Sequence, residues 1–228
     1  MQLRKIWDGG VRLFHWSQLL LIIGLWWTAE QELFGFHMLQ AYVLASLVGA
    51  RIIWGFIGSE TARFRHFVPT LNRLLEYRRN PQPVAGHNPL SALMIIALIV
   101  AVVLQWGSGL MASDDLSAEG PLYSLVSSDF ADFADGFHHW WFNTIIALAG
   151  IHALAAIWHQ RQGDKVITAM FSGKKAINVE TELNLKPGKY VLFLTAVLLF
   201  CCYLWQGENV MMMVKADAVT VGWMTIPQ

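Results

Sequence analysis

Charged residues are scarce in this sequence. Only 14% of its 228 residues are Asp, Glu, Lys or Arg, whereas a soluble domain carries about 25%. Hydrophobic residues make up 55%, and the mean hydropathy is +0.43. The chain is therefore too apolar for an ordinary soluble domain. Its net charge is zero, so no excess of positive charge indicates nucleic acid as a partner.

Cysteine is also scarce. The two cysteines, Cys201 and Cys202, are adjacent, and such a pair does not make the disulfide framework of a small secreted protein. The sequence also has no C-x-x-C-H motif for covalent haem attachment. We expect both cysteines to act as small hydrophobic residues in an apolar run.

Long apolar runs are abundant, and five of them approach the roughly 20 residues that cross a bilayer as a helix. They are residues 12–30, 37–57, 89–111, 137–159 and 189–206. No A-x-A-like cleavage site follows the first run, which also contains His15, so we interpret it as an anchor and not as a cleaved signal peptide. These runs predict an all-α integral membrane protein.

Charge orients these spans. If the chain crosses the membrane five times, 15 of the 16 basic residues lie on one side, and only Lys215 lies opposite. The positive-inside rule makes the basic side cytoplasmic, so the N-terminus is predicted inside and the C-terminus outside. The outer side is acidic, with the residues Glu30, Glu32, Asp114, Asp115, Glu119, Asp129, Asp132, Asp135, Glu208 and Asp217.

Tryptophans cluster near the predicted span ends, where an amphipathic ring prefers to lie. We expect them to act as interfacial anchors. They are Trp7, Trp26, Trp27, Trp54, Trp106, Trp140, Trp141, Trp158 and Trp205.

Two histidines of the fourth span have a spacing that keeps them on one helix face. His138 and His152 are 14 residues apart, which is about 40° short of four turns and about 21 Å along the axis. The 13-residue interval from His139 to His152 instead turns the side chains about 140° apart. One helix can therefore offer one ligand near each membrane surface, and the geometry favours His138 over His139.

Two further histidines match these in depth. His15 lies near the cytoplasmic start of the first span and His37 near the outer start of the second. Depth therefore pairs His15 with His152, and His37 with His138. Paired imidazoles are axial ligands of haem iron, so the sequence predicts two non-covalent haems b. An ionisable residue inside a membrane helix is energetically costly, so its presence by itself indicates a functional site.

The remaining candidates have two interpretations each. Arg51 follows His37 by 14 residues and either binds a propionate of the cytoplasmic haem or extends its charge to the membrane surface. We expect His66, His87 and His159 to be ordinary surface residues, with contact to quinone or propionate as the alternative. His139 is expected to be a solvent-facing or supporting residue.

Several stretches resemble the bacterial cytochrome b-561 family, which includes the cytochrome b subunits of nickel-iron hydrogenases. They are Trp7–Asp8, VRLFHW at 11–16, ARIIWGFIGS at 50–59, ARF at 62–64, GHNPL at 86–90, the segment from His138 to His152 with Trp140 and Asn143, and MFSGK at 170–174. The resemblance covers about residues 1–176. Where members often have Gly four residues after the second-helix His, this sequence has Ala41.

The resemblance implies a four-helix transmembrane bundle that binds two haems b through His15, His37, His138 and His152. We expect residues 1–176 to form this domain, and residues 177–228 to form a linker, a fifth transmembrane helix and a periplasmic tail. The family moves electrons between a membrane quinone and a partner redox protein. The quinone expected here is ubiquinone or menaquinone. The expected location is the bacterial inner membrane, in contact with lipid.

The leading functional hypothesis is an electron-transfer cytochrome that links the quinone pool to a periplasmic c-type cytochrome. Quinol:cytochrome oxidoreductase activity would be the enzymatic form of this hypothesis. A hydrogenase cytochrome b subunit and a superoxide:quinone oxidoreductase are the redox alternatives. The non-redox alternative is a membrane anchor or transporter with structural histidines. The acidic outer side could attract a basic partner at long range.

Overall fold

The computed structural model describes residues 2–80, 84, 86–113, 119–177 and 183–223. Within this part the chain is mostly helical, with one two-stranded sheet. The elements in chain order are β1 (Gln2–Lys5), α1 (Gly9–Glu30), α2 (Phe34–Ile57), α3 (Phe64–Phe67), α4 (Leu71–Arg79), α5 (Pro89–Gly109), α6 (Ser128–Arg161), α7 (Val166–Ser172), β2 (Lys174–Ile177) and α8 (Lys189–Thr220). Short 3₁₀ turns lie at Glu60–Ala62 and Tyr123–Leu125.

Four of the described helices are long and apolar enough to cross a membrane, which confirms an all-α membrane protein. They are α2, α5, α6 and α8. Helix α1 has 22 residues but is not among the four, and its first half contains Arg12, His15 and Gln18.

Four of the eight described α-helices, α1, α4, α5 and α6, begin at a residue whose side chain caps the first turn. Asp8 accepts a hydrogen bond from the Val11 N–H at 2.8 Å and so caps α1. Asn88 caps α5 by accepting from Ser91 at 2.8 Å, directly before Pro89, whose fixed φ suits the first helical position. Ser127 caps α6 through Phe130.

The last two spans extend further than the apolar runs predicted. Helix α6 begins at Ser128 and not near 137, so residues 128–136, which precede the fourth apolar run, are also helical. Helix α8 continues to Thr220, so Met211–Met213, which follow the fifth apolar run in the predicted periplasmic tail, are helical. Hydropathy marks only the part of a helix inside the hydrocarbon, about 20 residues, whereas a good cap or an uninterrupted helical sequence carries the helix beyond it. Asp114 and Asp115, which were predicted on the acidic outer side, lie outside the described residues.

The first and last helices of the bundle pack on the same partner, since both α1 and α8 contact α2, while α5 packs against α6. Apolar residues of α1, α2, α5 and α6 form one core cluster. A second cluster lies at the predicted cytoplasmic end and includes Ile6, Trp7, Trp54 and Val191.

Two of the tryptophans predicted as interfacial anchors are instead buried in this second cluster. Trp7 is 5% exposed and Trp54 only 2%. The Trp54 indole N–H donates to Asp8 at 3.1 Å, and the Trp7 ring packs 4.4 Å from the His87 ring, centre to centre. A polar partner for the indole makes its burial favourable. Trp26, Trp27, Trp140, Trp158 and Trp205 are exposed and Trp106 and Trp141 are half-buried, and for these residues the anchoring role stays a prediction.

The sheet closes the predicted cytoplasmic end of the bundle. Strand β1 pairs antiparallel with β2, from Gln2 opposite Ile177 to Lys5 opposite Lys174. The chain enters β2 through Gly173, whose φ of 78° ends α7 in the left-handed region that glycine tolerates best. The Gly173 carbonyl accepts from the N–H groups of Ile6 and Trp7 at 2.8 and 3.2 Å, so this turn fixes the entry of the chain into α1.

Candidate metal-binding sites between paired histidines

The four histidines singled out in the sequence lie in two pairs. The ring centres of His15 and His152 are 6.1 Å apart. Those of His37 and His138 are 6.3 Å apart. The first pair joins α1 to α6 and the second joins α2 to α6, and all four side chains are half-buried.

These separations fit two imidazoles that bind one metal from opposite sides. A metal–imidazole bond is about 2.0–2.1 Å. The centre of a five-membered ring with bonds of about 1.35 Å lies about 1.15 Å behind the bonding nitrogen. Two such ligands in trans therefore have ring centres about 6.3 Å apart. Within the described residues no group of three or more His, Cys, Asp or Glu side chains could hold a metal ion, so only a metal with further ligands of its own suits these pairs. Haem iron, which needs just two axial ligands from protein, is such a metal.

Backbone carbonyls orient the outer pair. Nδ1 of His37 lies 3.0 Å from the Leu25 carbonyl oxygen of α1. Nδ1 of His138 lies 2.9 Å from the Gln105 carbonyl oxygen of α5. Since a carbonyl oxygen can only accept, each Nδ1 carries the proton and each Nε2 keeps its lone pair for a metal. Hydrogen bonds of this kind fix ring orientation and raise the basicity of the ligand.

Helix α5 contributes two more features around His138. The Ser108 hydroxyl lies 3.2 Å from the same Nδ1. At Gly109 a Cβ atom would lie 2.8 Å from Cε1 of His138, so only glycine leaves room for the ring in this position.

A cavity of about 500 Å³ opens beside the outer pair, within the range of cofactor sites. It lies between α1, α2, α5 and α6, and both His37 and His138 line it. The other lining residues are largely apolar, and they include Ala41 at the position where the resembled family often has Gly. A largely apolar cavity lined by two imidazoles can hold an apolar cofactor that carries a metal.

His139 is placed differently from its neighbour. Its side chain is 74% exposed, and its Nδ1 lies 3.0 Å from the Asp135 carbonyl oxygen, one turn earlier in α6. It lies at the rim of the cavity, but its ring is not paired with His37.

The inner pair differs from the outer pair in its hydrogen bonds. Nδ1 of His15 is buried without a hydrogen-bond partner among the described residues, whereas Nδ1 of each outer histidine faces a backbone carbonyl oxygen. Around His15, Arg12 donates to the Met170 carbonyl oxygen at 3.1 Å and to that of Phe171. The Trp16 ring stacks on Phe171 at 4.3 Å. Helix α7 therefore holds the start of α1, and with it His15.

Arg51 is buried at the same end of the bundle. It is only 3% exposed, donates to the Ala62 carbonyl oxygen at 3.3 Å, and lies over the Phe64 ring at 5.5 Å. A charge that extended to the membrane surface would be exposed, so this interpretation of Arg51 does not agree with the structure.

His87 lies in the loop before α5, between the rings of Trp7 and Phe67, with centres 4.4 and 5.1 Å away. Burial, together with the positive charge of Arg51, lowers the pKa of His87 to about 3. The imidazole is therefore neutral at physiological pH. His66 and His159 instead lie near carboxylates, Glu60 at 3.8 Å and Asp164 at 3.6 Å.

Sequence reasoning assigned no role to two buried charged residues. Asp8, 1% exposed, joins the start of α1 to Trp54 of α2. Lys175, 6% exposed, pairs with Asp164 and donates to the Val84 carbonyl oxygen at 3.3 Å. An Asp directly before a helical run is a capping signal that identifies the first. Nothing local in the sequence identifies the second, because its partners are distant in the chain.

Comparison with known proteins gives one family. The model of the family described as prokaryotic cytochrome b561 matches residues 6–173. This range includes all four paired histidines and Arg51, and it ends at the Gly173 turn. Neither the curated proteins nor the solved structures that were compared with the chain gave a match.

Proposed function

Since the chain belongs to the prokaryotic cytochrome b561 family, a family of membrane electron-transfer proteins that bind haem b, we propose that it binds two haems b and carries electrons between membrane quinone and a periplasmic redox partner. The observation that supports this most directly is the separation of 6.1 and 6.3 Å within the two histidine pairs.

In this proposal His15 and His152 hold the inner haem, and His37 and His138 hold the outer haem. A haem held by these residues would supply a reversible one-electron centre, and ligation by two imidazoles would favour electron transfer over oxygen binding. The carbonyl oxygens of Leu25 and Gln105 keep the outer imidazoles in the tautomer that can bind iron. The largely apolar lining of the cavity would limit the access of water to the outer haem, and water access is one factor that sets a haem potential.

Arg51 is proposed as the partner of an inner-haem propionate. Its burial and its hydrogen bond to Ala62 fix the guanidinium at the end of α2. Its positive charge acts electrostatically on His87, and so do charges on His15 and His152, so these residues lie in the same region of the bundle. A guanidinium forms strong charge-assisted hydrogen bonds to carboxylates, and a buried one needs a partner of opposite charge.

The proposed orientation has the N-terminus, α4 and α7 on the cytoplasmic side of the bacterial inner membrane, and the start of α6 and end of α8 on the periplasmic side. The distribution of basic residues supports it. The proposed partner is a basic c-type cytochrome, because the periplasmic side presents acidic residues such as Asp129 and Asp132, both exposed at the start of α6.

The test is haem stoichiometry. We expect a pyridine haemochrome assay on the purified chain to give two haems b per chain. His15→Ala and His37→Ala should each disturb a different haem, so that the two difference spectra add up to the wild-type spectrum. His66→Ala, an exposed histidine outside the pairs, is the control and should keep both haems. One haem per chain, or the same haem lost in both variants, would contradict the proposal.

A further inference from the structure

The first turn of α2 lacks a local cap. Its N-cap residue, Leu33, makes no side-chain capping bond. The first four N–H groups of a helix have no partner within the helix, and each needs one from elsewhere. The N–H of Phe36 finds it in Asp217, whose Oδ2 accepts this hydrogen bond at 2.9 Å. Asp217 lies 181 residues away in the chain, in the last turn of α8.

Close packing of the two helices allows this contact. Gly35 is buried, and a Cβ atom at this position would collide with the backbone of Met213 and Val214. One residue further, the Phe36 ring meets the Trp223 ring edge-on at 5.5 Å between centres. The end of α8, together with Trp223 just beyond it, thus packs against Gly35 and Phe36 in the first turn of α2.

His37 directly follows this covered turn. Its backbone N–H still bonds to the Leu33 carbonyl oxygen at 2.9 Å, and its side chain reaches Leu25 on the other side. The position of the His37 ring relative to His138 therefore depends on a helix turn that would fray without its cap.

We infer that Asp217 is a positioning residue for His37, so that α8, which lies beyond the family-matched residues 6–173, helps to hold one axial ligand of the outer haem. This inference rests on the ligand role proposed for His37. It gives the C-terminal helix a function within the redox site, in addition to membrane anchoring.

The experiment measures how readily an axial histidine leaves the iron. Carbon monoxide binds a reduced bis-histidine haem only after one ligand dissociates, so its binding rate in the purified haem-loaded chain reports ligand release. We expect Asp217→Ala to speed carbon monoxide binding at one of the two haems by about five- to tenfold, the factor to which the loss of a helix cap corresponds. Asp217→Asn should remain near the wild-type rate, because its amide oxygen can still accept from Phe36.

Lys215→Ala is the matched control, since Lys215 is exposed on the same helix two residues earlier. Equal rates in Asp217→Ala and wild type, or equal acceleration at both haems, would overturn the inference. If Asp217→Ala does not accumulate, Gly35→Ala tests the same contact from α2 and should give the same one-haem signature, and a wild-type rate there would likewise overturn it.

His37→Ala distinguishes the ligand role of His37 from the positioning role of Asp217. It should identify the outer haem, and that haem should be the one affected by Asp217→Ala. If His37→Ala keeps two six-coordinate haems, the proposed ligand set is wrong. If His37→Ala loses a ligand while Asp217→Ala has no effect, only the positioning role is wrong.

Discussion

Asp8 and Trp54 are joined by a buried hydrogen bond of 3.1 Å from the indole Nε1 to Oδ2. The other carboxylate oxygen of Asp8 caps α1, so one side chain connects the start of the His15 helix to the end of the His37 helix. Both residues belong to stretches that resemble the family, and their bond gives a physical reason for an Asp and a Trp at these two places.

Asp8→Ala should therefore destabilise the fold twice. It removes a helix cap, which costs about 1 kcal/mol, and leaves a buried indole N–H without a partner, which costs about 1–3 kcal/mol. We expect the free energy of unfolding, measured by denaturant titration in detergent, to fall by about 2–4 kcal/mol in total. Thr70→Ala removes the cap of exposed helix α4 and should cost no more than the first of these two amounts. Equal losses in the two variants would show that the bond to Trp54 contributes little.

The neighbouring histidines of α6 give the second prediction. His138→Ala should remove one ligand of the outer haem, so that the haem content falls toward one per chain or a high-spin signal appears. His139→Ala should leave both haems six-coordinate, because this side chain is exposed and bonds within its own helix. Haem assays and low-temperature spectra of both variants check this. The assignment is wrong if His139→Ala loses haem while His138→Ala keeps two low-spin centres.

The arrangement of α6 could be predicted from the sequence because it depends on local periodicity. The 14-residue interval from His138 to His152 fixes their relative direction in any regular helix, and hydropathy located the helix. The pairing with His15 and His37 followed from depth alone. The two pairs are close in the structure, although their role as ligands stays a prediction.

Other features could not be predicted, since they depend on contacts between distant residues. The bond from Phe36 to Asp217 spans 181 positions and the one from Trp54 to Asp8 spans 46. No periodic pattern relates such residues. The start of α6 was placed too late and the end of α8 too early, because both helices continue past the apolar runs that identified them.

Arg51 gives the third prediction. If its charge lies beside an inner-haem propionate, Arg51→Gln removes a cation that favours the reduced haem. The inner-haem midpoint potential should then fall by about 30–60 mV, where about 59 mV is tenfold for one electron. A redox titration should show no change at the outer haem. Arg51→Lys keeps the charge and should shift the potential less. Unchanged potentials in Arg51→Gln would contradict the propionate role.

The fourth prediction concerns acid sensitivity through His87. Its folded pKa of about 3 lies below the ordinary 6.5, so the unfolded chain takes up a proton between these values that the folded chain does not. This residue therefore destabilises the fold progressively as the pH falls below about 6.5, and has no such effect above it. His87→Asn should lose less thermal stability than wild type between about pH 7.5 and about pH 5. His66→Asn, at an exposed site, should behave as wild type, and an unaltered pH response in His87→Asn would contradict the prediction.

The last prediction concerns the acidic start of α6. Asp129 and Asp132 are exposed there, on the side proposed to face a basic partner. The Debye length is about 30 Å at 0.01 M salt and about 8 Å at 0.15 M, so attraction by these carboxylates acts at low salt and is screened at high salt. Electron exchange with a basic c-type cytochrome should therefore slow as salt is added. The double variant Asp129→Asn, Asp132→Asn should exchange about three- to tenfold more slowly than wild type at low salt.

At high salt the two proteins should converge, because screening removes the difference between them. The matched control is Glu76→Gln in α4, which removes an exposed negative charge on the opposite, predicted cytoplasmic side and should leave the rate unchanged. Stopped-flow measurement of the reduced chain against the oxidised cytochrome gives all these rates. A rate independent of salt would rule out steering by this surface. Equal slowing in Glu76→Gln would assign the effect to net charge, because only a local field distinguishes the start of α6 from α4.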